Sequence, residues 1–301
     1  MSGRRRLRLA QLLRALPQFP GRDASLAALT RPVLSLDAPL LGTFGGGLRF
    51  EGNLAADANL LPMLLLRHVR PPLAPVLDAC LEPGDVFADA GANLGIYALW
   101  AARRVGPAGR VHAFEPVAGP RNRLSRNAAL NSFENVEVEA AALGATPGRV
   151  ILYQQEGSSA HTSRYAADRS GPLEVPATTL DAYFAARRPP DLVKLHVEGM
   201  ELQVLRGARE LLRGERAPAV VFEARPAELA AAGTCYAELL GALAEAGYRA
   251  FALGGRGLAP EPPGAREPGS RDVLGLRPDR PAHERARLAL ARHRFEPEGD
   301  F

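Results

Sequence analysis

The sequence has few of the features that indicate a disulfide scaffold, an exported protein or a membrane span. Its two cysteines, Cys80 and Cys235, lie far apart and are too few to hold a small secreted scaffold together, which favours a reducing compartment. The longest apolar stretch, Asn59 to Leu66, contains Pro62 and is shorter than the roughly 18 to 20 residues that a membrane span needs. Charges interrupt the leucines near the N-terminus, which argues against a signal peptide. We therefore expect a cytoplasmic protein without a transmembrane segment.

Lysine is nearly absent, and this affects how the net charge is interpreted. Of the 37 Lys and Arg residues, only Lys194 is a lysine. Together with the many Ala, Gly and Pro residues, this skew indicates a bias toward GC-rich codons rather than a surface selected to bind phosphates. Aromatic residues make up only 6% of the chain, so platforms on which bases stack are scarce. The net charge of +4 is therefore weak support for a nucleic-acid partner.

The rest of the chain has the composition and the regular pattern of a folded α/β domain. Hydrophobic residues make up 47% and charged residues 23% of 301 residues, which is ample for a packed core. Short apolar strands alternate with helices, which predicts a mostly parallel sheet covered on both faces. The predicted strands are Val86–Ala88, Arg110–Phe114, Val136–Ala140, Val150–Tyr153, Asp191–Val197, Ala219–Glu223, Tyr248–Leu253 and Asp272–Leu276. The predicted helices are residues 57–69, residues 73–82, Leu94–Val105, Pro120–Leu130, Met200–Leu212, Tyr236–Ala246 and Ala282–His293.

Three regions follow from this pattern. Residues 1–70 form an N-terminal extension, helical and irregular, with a possible hairpin around Gly45-Gly46-Gly47 and an amphipathic Arg- and Leu-rich helix near its start. That helix packs one leucine face, or lies on a membrane surface. Residues 71–278 form the main domain, and residues 279–301 form an Arg-rich tail. Gly157–Pro172 and Gly254–Ser270 are expected to be exposed loops, and the first of them is a candidate for contacts with a substrate.

The strongest local motif runs from Asp89 to Gly95, after an apolar strand and at the start of a helix. Parallel sheets bind ligands beyond the carboxyl ends of their strands, at the switch in strand order, and glycines allow the backbone to approach a ligand closely. Glu115 closes the next strand, 26 residues after Asp89, where a carboxylate can accept both hydrogen bonds from a ribose diol. The pattern predicts a nucleoside-containing cofactor, although a tight turn capped by Asn93 would give the same sequence.

Two cofactors are compatible with this layout. A dinucleotide would call for GxGxxG, with its pyrophosphate on the helix N-terminus, but this segment has only Gly91 and Gly95, with Asn93 between them. An acid such as Asp89 before the first glycine suits the cationic amino-acid end of S-adenosylmethionine better than a pyrophosphate. The motif therefore favours S-adenosylmethionine, and a nicotinamide-dependent oxidoreductase remains as an alternative.

Further motifs complete the pattern and resemble one known family. They are Pro83-Gly84-Asp85-Val86, Asp89 to Gly95, Phe114-Glu115-Pro116, Asn127, Asn131, Thr179-Leu180-Asp181 and Lys194 to Glu201. From about Leu81 to Leu276 the chain resembles the FkbM family of S-adenosylmethionine-dependent methyltransferases. The resemblance implies a class I, Rossmann-like methyltransferase fold with a seven-stranded sheet, and methyl transfer to a hydroxyl of a small molecule or a sugar. The chain departs from the family at His196, where an Asp is common.

The candidate site residues fall into two groups. Those assigned to cofactor binding are Asp89, Gly91, Asn93, Gly95, Glu115, Ala141 and Ala142. Those assigned to catalysis are Lys194, His196 and Glu198, which alternate along a strand with Val193, Leu195 and Val197 and so share one face. A cleft is expected on that face, because a strand buried on both sides would be apolar on both.

Each catalytic candidate has a specific expected role. A single lysine in an arginine-rich chain indicates a site where a guanidinium does not fit. His196 has the pKa of a base that takes a proton from an acceptor hydroxyl near neutral pH, although a structural histidine in the core is the alternative. Glu198 would orient His196 or Lys194, or hold a substrate hydroxyl. Glu223 is a further candidate for the same cleft, and Asp181 is expected at a helix N-terminus.

The sequence shows no set of residues dedicated to a metal, because it has neither a CxxC pair nor a cluster of His and Cys. The expected acceptor is a small molecule or a glycan, which the fold and the cofactor motifs do not identify further. His196 in place of the common Asp keeps open a third hypothesis, a non-catalytic binding protein on a methyltransferase fold.

Overall fold

The structure is a computed structural model that describes residues 40–52, 70–154, 162–163, 170–265 and 269–295. The strands are β1 (Leu40–Phe44), β2 (Leu48–Gly52), β3 (Val86–Ala90), β4 (Arg110–Phe114), β5 (Val136–Glu139), β6 (Ala142–Leu143), β7 (Gly148–Gln154), β8 (Thr162–Ser163), β9 (Ser170–Thr178), β10 (Leu192–Leu195), β11 (Ala219–Ala224), β12 (Arg249–Leu253), β13 (Gly255–Arg256), β14 (Leu258–Glu261), β15 (Arg271–Leu276) and β16 (Arg294–Phe295). The helices are α1 (Ala74–Cys80), α2 (Ile96–Val105), α3 (Ala118–Leu130), α4 (Leu180–Phe184), α5 (Glu201–Arg206), α6 (Arg209–Arg213), α7 (Pro226–Ala231), α8 (Tyr236–Glu245) and α9 (Pro281–Leu290). The predicted N-terminal helix, the predicted helix at residues 57–69 and most of the predicted loop Gly157–Pro172 lie outside the described residues.

The central sheet has eight strands in the order β14-β12-β15-β11-β10-β3-β4-β5. Strands β11, β10, β3, β4 and β5 are parallel to one another, whereas β15 is antiparallel to both β11 and β12. The chain runs outward from β3 through β4 and β5, and then returns to β10 on the other side of β3. The strand order therefore reverses between β3 and β10, and this switch point is where open α/β sheets bind their ligands.

Two hydrophobic cores cover the two faces of this sheet, because side chains alternate along each strand. On β10, Leu192 packs into one core, whereas Val193 and Leu195 pack into the other. The first core contains residues of α1, α2, α3 and α9. The second contains residues of α4, α5, α6, α7 and α8. The predicted α/β fold, a mostly parallel sheet with helices on both faces, is thus confirmed.

The structure differs from the expected elements in the segments rich in proline and glycine. Strand β14 lies within the expected loop Gly254–Ser270 and pairs with β12, which gives the sheet eight strands instead of seven. Strands β6, β9, β7 and β8 form a second sheet, and β9 begins inside the other expected loop. Such strands depend on backbone hydrogen bonds with a neighbour, which local composition does not reveal.

Two boundaries near the candidate site also differ from the prediction. The predicted helix Met200–Leu212 is two short helices, α5 and α6, separated at Gly207. A Cβ on Gly207 would lie 2.0 Å from the carbonyl oxygen of Gly144, so the chain bends where two backbone segments touch. The predicted strand Asp191–Val197 ends at Leu195, and the chain then turns at Glu198, which adopts a left-handed φ of 53°.

The segments on either side of residues 71–278 pack against the rest of the protein. The expected hairpin is present as β1 and β2, and its Phe44 and Phe50 are fully buried in the first core. Gly45 has a positive φ, and a Cβ there would lie 2.1 Å from the ring of Trp100. At the other end of the chain, α9 packs against α1. Among the described residues, no helix combines the length and the apolar composition that a membrane crossing requires.

Candidate functional site

The loop between β3 and α2 is shaped by residues in the left-handed region. Gly91, Asn93 and Gly95 have φ values of 73°, 49° and 87°. At Gly91 the backbone passes so close to the next strand that a Cβ would lie 2.0 Å from the carbonyl oxygen of His196. Only glycine fits this crossing, which brings the Asp89–Gly95 loop against the residues that follow β10.

Glu115 connects this loop to the segment that follows β4. Its carboxylate accepts hydrogen bonds from the backbone N–H of Asn93 and from that of Val117, both at 2.9 Å. The side chain is buried, and burial raises the pKa of Glu115 to about 7 while the two backbone N–H groups act to lower it. A carboxylate offers about four acceptor positions, so two of them remain for a ligand. Ala141 and Ala142 follow β5, the next strand along this edge of the sheet.

Asp89 and Lys194 form a buried ion pair at the switch point. They are register partners on β3 and β10, and the Lys194 ammonium donates to Asp89 Oδ1 at 2.8 Å. The Lys194 ammonium also lies 5.0 Å from the centre of the Tyr97 ring. The second carboxylate oxygen, Asp89 Oδ2, is buried without a hydrogen-bond partner among the described residues, and so is Asn93 Oδ1. Two buried acceptors thus lie in the Asp89–Gly95 loop.

His196 follows β10 and is partly exposed, with 36% of its side chain accessible. Its Nε2 lies 3.2 Å from Glu223 Oε2 and 3.7 Å from Glu198 Oε1. Glu223 also accepts a hydrogen bond from Arg225 Nε at 2.6 Å. The structure therefore brings His196, Glu198 and Glu223 together at the carboxyl ends of β10 and β11. Lys194, on β10, instead contacts Asp89 at the start of the Asp89–Gly95 loop.

Buried glutamates surround the turn after β10. Burial raises the pKa of Glu198 to about 9, and the neighbouring Glu228 adds to the effect. Burial likewise raises the pKa of Glu201 to about 7. Glu201 accepts a hydrogen bond from the backbone N–H of Val197 at 3.0 Å, which fixes the turn. Among the described residues, no group of three or more His, Cys, Asp and Glu side chains is arranged to hold a metal ion.

Other motif residues have structural roles. Asp181 lies in the first turn of α4, which confirms its expected place at a helix N-terminus. Its carboxylate accepts hydrogen bonds from the backbone N–H groups of Glu210 and Leu211, at 3.0 and 2.8 Å, and so caps the N-terminus of α6. Asn127 and Asn131 bind the backbone of β2.

Sequence reasoning missed three contributors, namely Tyr97, Arg225 and Glu228. For two of them a signal was present, because Arg225 directly follows β11 and Glu228 lies in the first turn of the next helix. Charged residues just beyond the carboxyl end of a parallel strand point toward a site.

The fold and the site together define a class of protein. Seven strands of the central sheet can be numbered 1 to 7 in chain order, as β3, β4, β5, β10, β11, β12 and β15. Their order across the sheet is then 3-2-1-4-5-7-6, and the seventh is antiparallel to the fifth. This arrangement, with an acid and a glycine-rich turn at the end of its first strand, is the class I methyltransferase fold. A sequence profile described as "Methyltransferase FkbM domain" matches residues 89–250, which is more than half of the chain. The chain belongs to this family.

The individual relatives have low sequence identity to this chain. Methyltransferase 1 of Beauveria bassiana is 25% identical over 158 residues, and methyltransferase sdnD of Sordaria araneosa is 28% identical over 165 residues. Each match covers 44% of this chain and 63% of the relative, so the chain spans less than two thirds of their length. Among solved structures, a SAM-dependent O-methyltransferase of Thermotoga maritima matches with a TM-score of 0.43 and 14% identity, covering 81% of this chain and 79% of that one.

Proposed function

We propose that this chain is an S-adenosylmethionine-dependent methyltransferase that methylates a hydroxyl oxygen on a small molecule or a glycan. The observation that carries the proposal is the buried Asp89. Lys194 pairs with one of its carboxylate oxygens, and the other has no partner among the described residues. Burying a charged acceptor is costly unless it is hydrogen-bonded, and the ammonium of an amino-acid moiety is a donor that would satisfy it.

The other residues of the loop also fit this cofactor. Glu115 retains acceptor positions for two ribose hydroxyls, and Gly91 and Gly95 leave the backbone open to close approach. The Asp89–Gly95 loop lacks the GxGxxG pattern that seats a pyrophosphate. These features support S-adenosylmethionine over a nicotinamide dinucleotide.

The protein's own part in the reaction is to position the acceptor and to remove its proton. When bound, S-adenosylmethionine would supply a methyl group on a sulfonium sulfur, which leaves readily as a neutral thioether. His196 takes the proton of the acceptor hydroxyl, a role for which a positioned imidazole is suited near neutral pH. Holding the hydroxyl in line with the methyl group provides much of the remaining rate acceleration. His196 is accessible enough to return its proton to solvent afterwards.

Calorimetry on the purified protein tests the cofactor assignment. We expect saturable binding of S-adenosylmethionine and of its demethylated product, and no binding of NAD. Glu115→Ala removes an acceptor for the ribose and is expected to weaken binding by about 1–3 kcal/mol. Glu134→Ala, at an exposed position, is the control and should bind normally. Saturable NAD binding without a response to S-adenosylmethionine would favour the oxidoreductase.

Turnover with labelled S-adenosylmethionine and a host extract tests catalysis and identifies the acceptor. We expect His196→Ala to slow methyl transfer about 10²- to 10⁴-fold, the usual range for loss of a general base, with little change in cofactor affinity. His196→Asp restores the residue that is common in the family and should retain more activity than His196→Ala. A wild-type protein that binds the cofactor but labels nothing would support the non-catalytic alternative.

A further inference from the structure

We propose that Glu223, held in place by Arg225, is the carboxylate that positions the imidazole of His196. The inference rests on the proposed role of His196 as the base, and it adds two positioning residues to that role. Glu223 and Arg225 act through His196 and are not proposed to touch the acceptor.

The distances favour Glu223 over the other nearby carboxyl. Nε2 of His196 lies 3.2 Å from Glu223 Oε2, within hydrogen-bond range, but 3.7 Å from Glu198 Oε1, which is too long for a hydrogen bond. Glu223 presents one oxygen to His196 and the other to Arg225 Nε, at 2.6 Å. The two contacts use different oxygens, so both are made at once.

Arg225 is itself fixed on its far side. A second guanidinium nitrogen donates to Glu228 Oε1 at 3.1 Å, so the guanidinium bridges a residue of β11 and a residue of α7. The side chain of Glu223 is only 11% exposed and that of Arg225 is 29% exposed. A chain of contacts thus runs from His196 through Glu223 and Arg225 to Glu228. Its members are restrained by neighbouring elements, as positioning of a base requires.

The charges around His196 also favour Glu223 as its partner. Glu198 is buried beside Glu228, and both effects hold its carboxyl in the neutral form near pH 7, so it adds no negative charge next to the imidazole. Glu223 forms an ion pair with the guanidinium of Arg225. On the other side of Glu223, its register partner Asp272 on β15 is a further acid. The Asp89–Lys194 pair on β3 and β10 carries no net charge.

The proposed positioning requires that Nε2 of His196 carry the hydrogen. Nε2 keeps its hydrogen and donates it to Glu223 Oε2, which leaves the lone pair on Nδ1. In the reaction the O–H bond of the acceptor would break and its proton would form the Nδ1–H bond. The oxygen would bond to the methyl group as the S–CH3 bond breaks, and the demethylated cofactor would leave as a neutral thioether. The imidazolium that results is stabilised by the Glu223 carboxylate until the proton leaves to solvent.

Nitrogen NMR of the imidazole rings in the purified protein tests this without cofactor or acceptor. Loss of one signal in His196→Gln assigns the ring. In the wild-type protein we expect the neutral ring of His196 to carry its hydrogen on Nε2. Glu223→Gln should lower the pH midpoint of the His196 titration by about one unit, because an opposite charge is removed. Glu198→Gln is the matched control and should leave the midpoint unchanged within about 0.3 units, because that carboxyl is already neutral.

Three results would overturn the inference. They are an Nδ1–H tautomer in the wild-type protein, an unchanged midpoint in Glu223→Gln, and a shift in Glu198→Gln as large as that in Glu223→Gln. The wild-type spectrum decides the tautomer even where a variant fails to fold. Because the NMR experiment uses no cofactor, its results are independent of the calorimetry. Binding of S-adenosylmethionine without the expected tautomer would refute the positioning role alone.

Discussion

Lys194 lies where the composition of the chain would lead one to expect an arginine, and its surroundings explain the exception. Its ammonium fits between the carboxylate of Asp89 and the ring of Tyr97, and only 2% of the residue is exposed. A guanidinium is larger and planar, whereas an ammonium is a compact donor. The buried pair holds β3 and β10 together where the cofactor is proposed to bind.

The first prediction concerns this pair. Lys194→Met should lower the free energy of unfolding by about 3–5 kcal/mol, because it leaves Asp89 as an uncompensated buried charge. Denaturant unfolding at neutral pH measures the loss. Combining it with Asp89→Asn should recover part of the stability, since neither charge remains. Arg149→Met breaks an exposed pair with Glu174 and serves as control, with an expected loss of no more than about 1 kcal/mol. Equal losses in the single and double variants would show that the ion pair is not the cause.

At the residue scale, the sequence predicts acids and glycines at strand ends well but not the partners of the polar residues. The segment Asp89 to Gly95 was recognisable because acid and glycine follow an apolar strand directly. Strict alternation placed Lys194 and His196 on one face, but β10 ends at Leu195 and Glu198 has a positive φ. Lys194 accordingly pairs with Asp89, whereas His196 contacts Glu223. Such pairings depend on strands far apart in sequence, which no local pattern encodes.

At the scale of elements, α3 binds the hairpin strand β2 through two asparagines. Asn127 accepts from the backbone N–H of Glu51 at 2.6 Å and donates to its carbonyl at 3.2 Å. Asn131 does the same with Arg49, at 2.8 and 2.7 Å. Four residues of helix rise about 6 Å and two residues of strand about 6.8 Å, so the two amides match alternate residues of the strand. Asn127 also donates to the carbonyl of Leu94 at 2.9 Å, which links the hairpin to the Asp89–Gly95 loop.

The second prediction concerns Asn127. Asn127→Ala leaves partly buried partners on β2 and the buried carbonyl of Leu94 without their hydrogen bonds, and should cost about 1–3 kcal/mol of stability. Hydrogen exchange should also accelerate at the amide of Glu51, because its acceptor is removed. Asn122→Ala on the exposed face of α3 is the control, with an expected change within about 0.5 kcal/mol. Unchanged exchange at Glu51 would mean that the hairpin does not depend on this amide.

Elements were predictable where the hydrophobic period was strong and less so elsewhere. Strands β3, β4 and β11 and helix α2 have dense apolar patterns and were predicted within two residues of their bounds. Strand β14 contains Pro260 and pairs at the edge of the sheet, so its existence depends on β12 rather than on its own composition. The break between α5 and α6 depends on the contact of Gly207 with Gly144, which is likewise a tertiary effect.

At the scale of the whole molecule, the carboxyl ends of the central strands concentrate buried acids. Burial raises the pKa of Glu115 and of Glu201 from 4.5 to about 7, and that of Glu198 to about 9. Buried histidines act in the opposite sense, since burial lowers the pKa of His283 from 6.5 to about 4. Below pH 6.5, folding therefore makes the buried carboxyls take up protons and the buried histidine release one. Above pH 6.5, proton uptake by the carboxyls dominates.

The last prediction is the pH dependence of stability that follows. Between about pH 6.5 and 8.5 an unfolded Glu198 has already lost its proton, whereas the folded one retains it, so the unfolded state binds fewer protons. Stability then falls as the pH rises, by at most about 1.4 kcal/mol per pH unit for one such group. Thermal unfolding of the protein without cofactor should show a melting temperature that declines across this window. Glu198→Gln carries no titrating group at this position and should flatten the decline, whereas Glu174→Gln, at an exposed position, should leave it unchanged. A wild-type melting temperature that rises from pH 6.5 to 8.5 would mean that Glu198 is ionised in the folded protein. It would then share with Glu223 the negative charge beside His196.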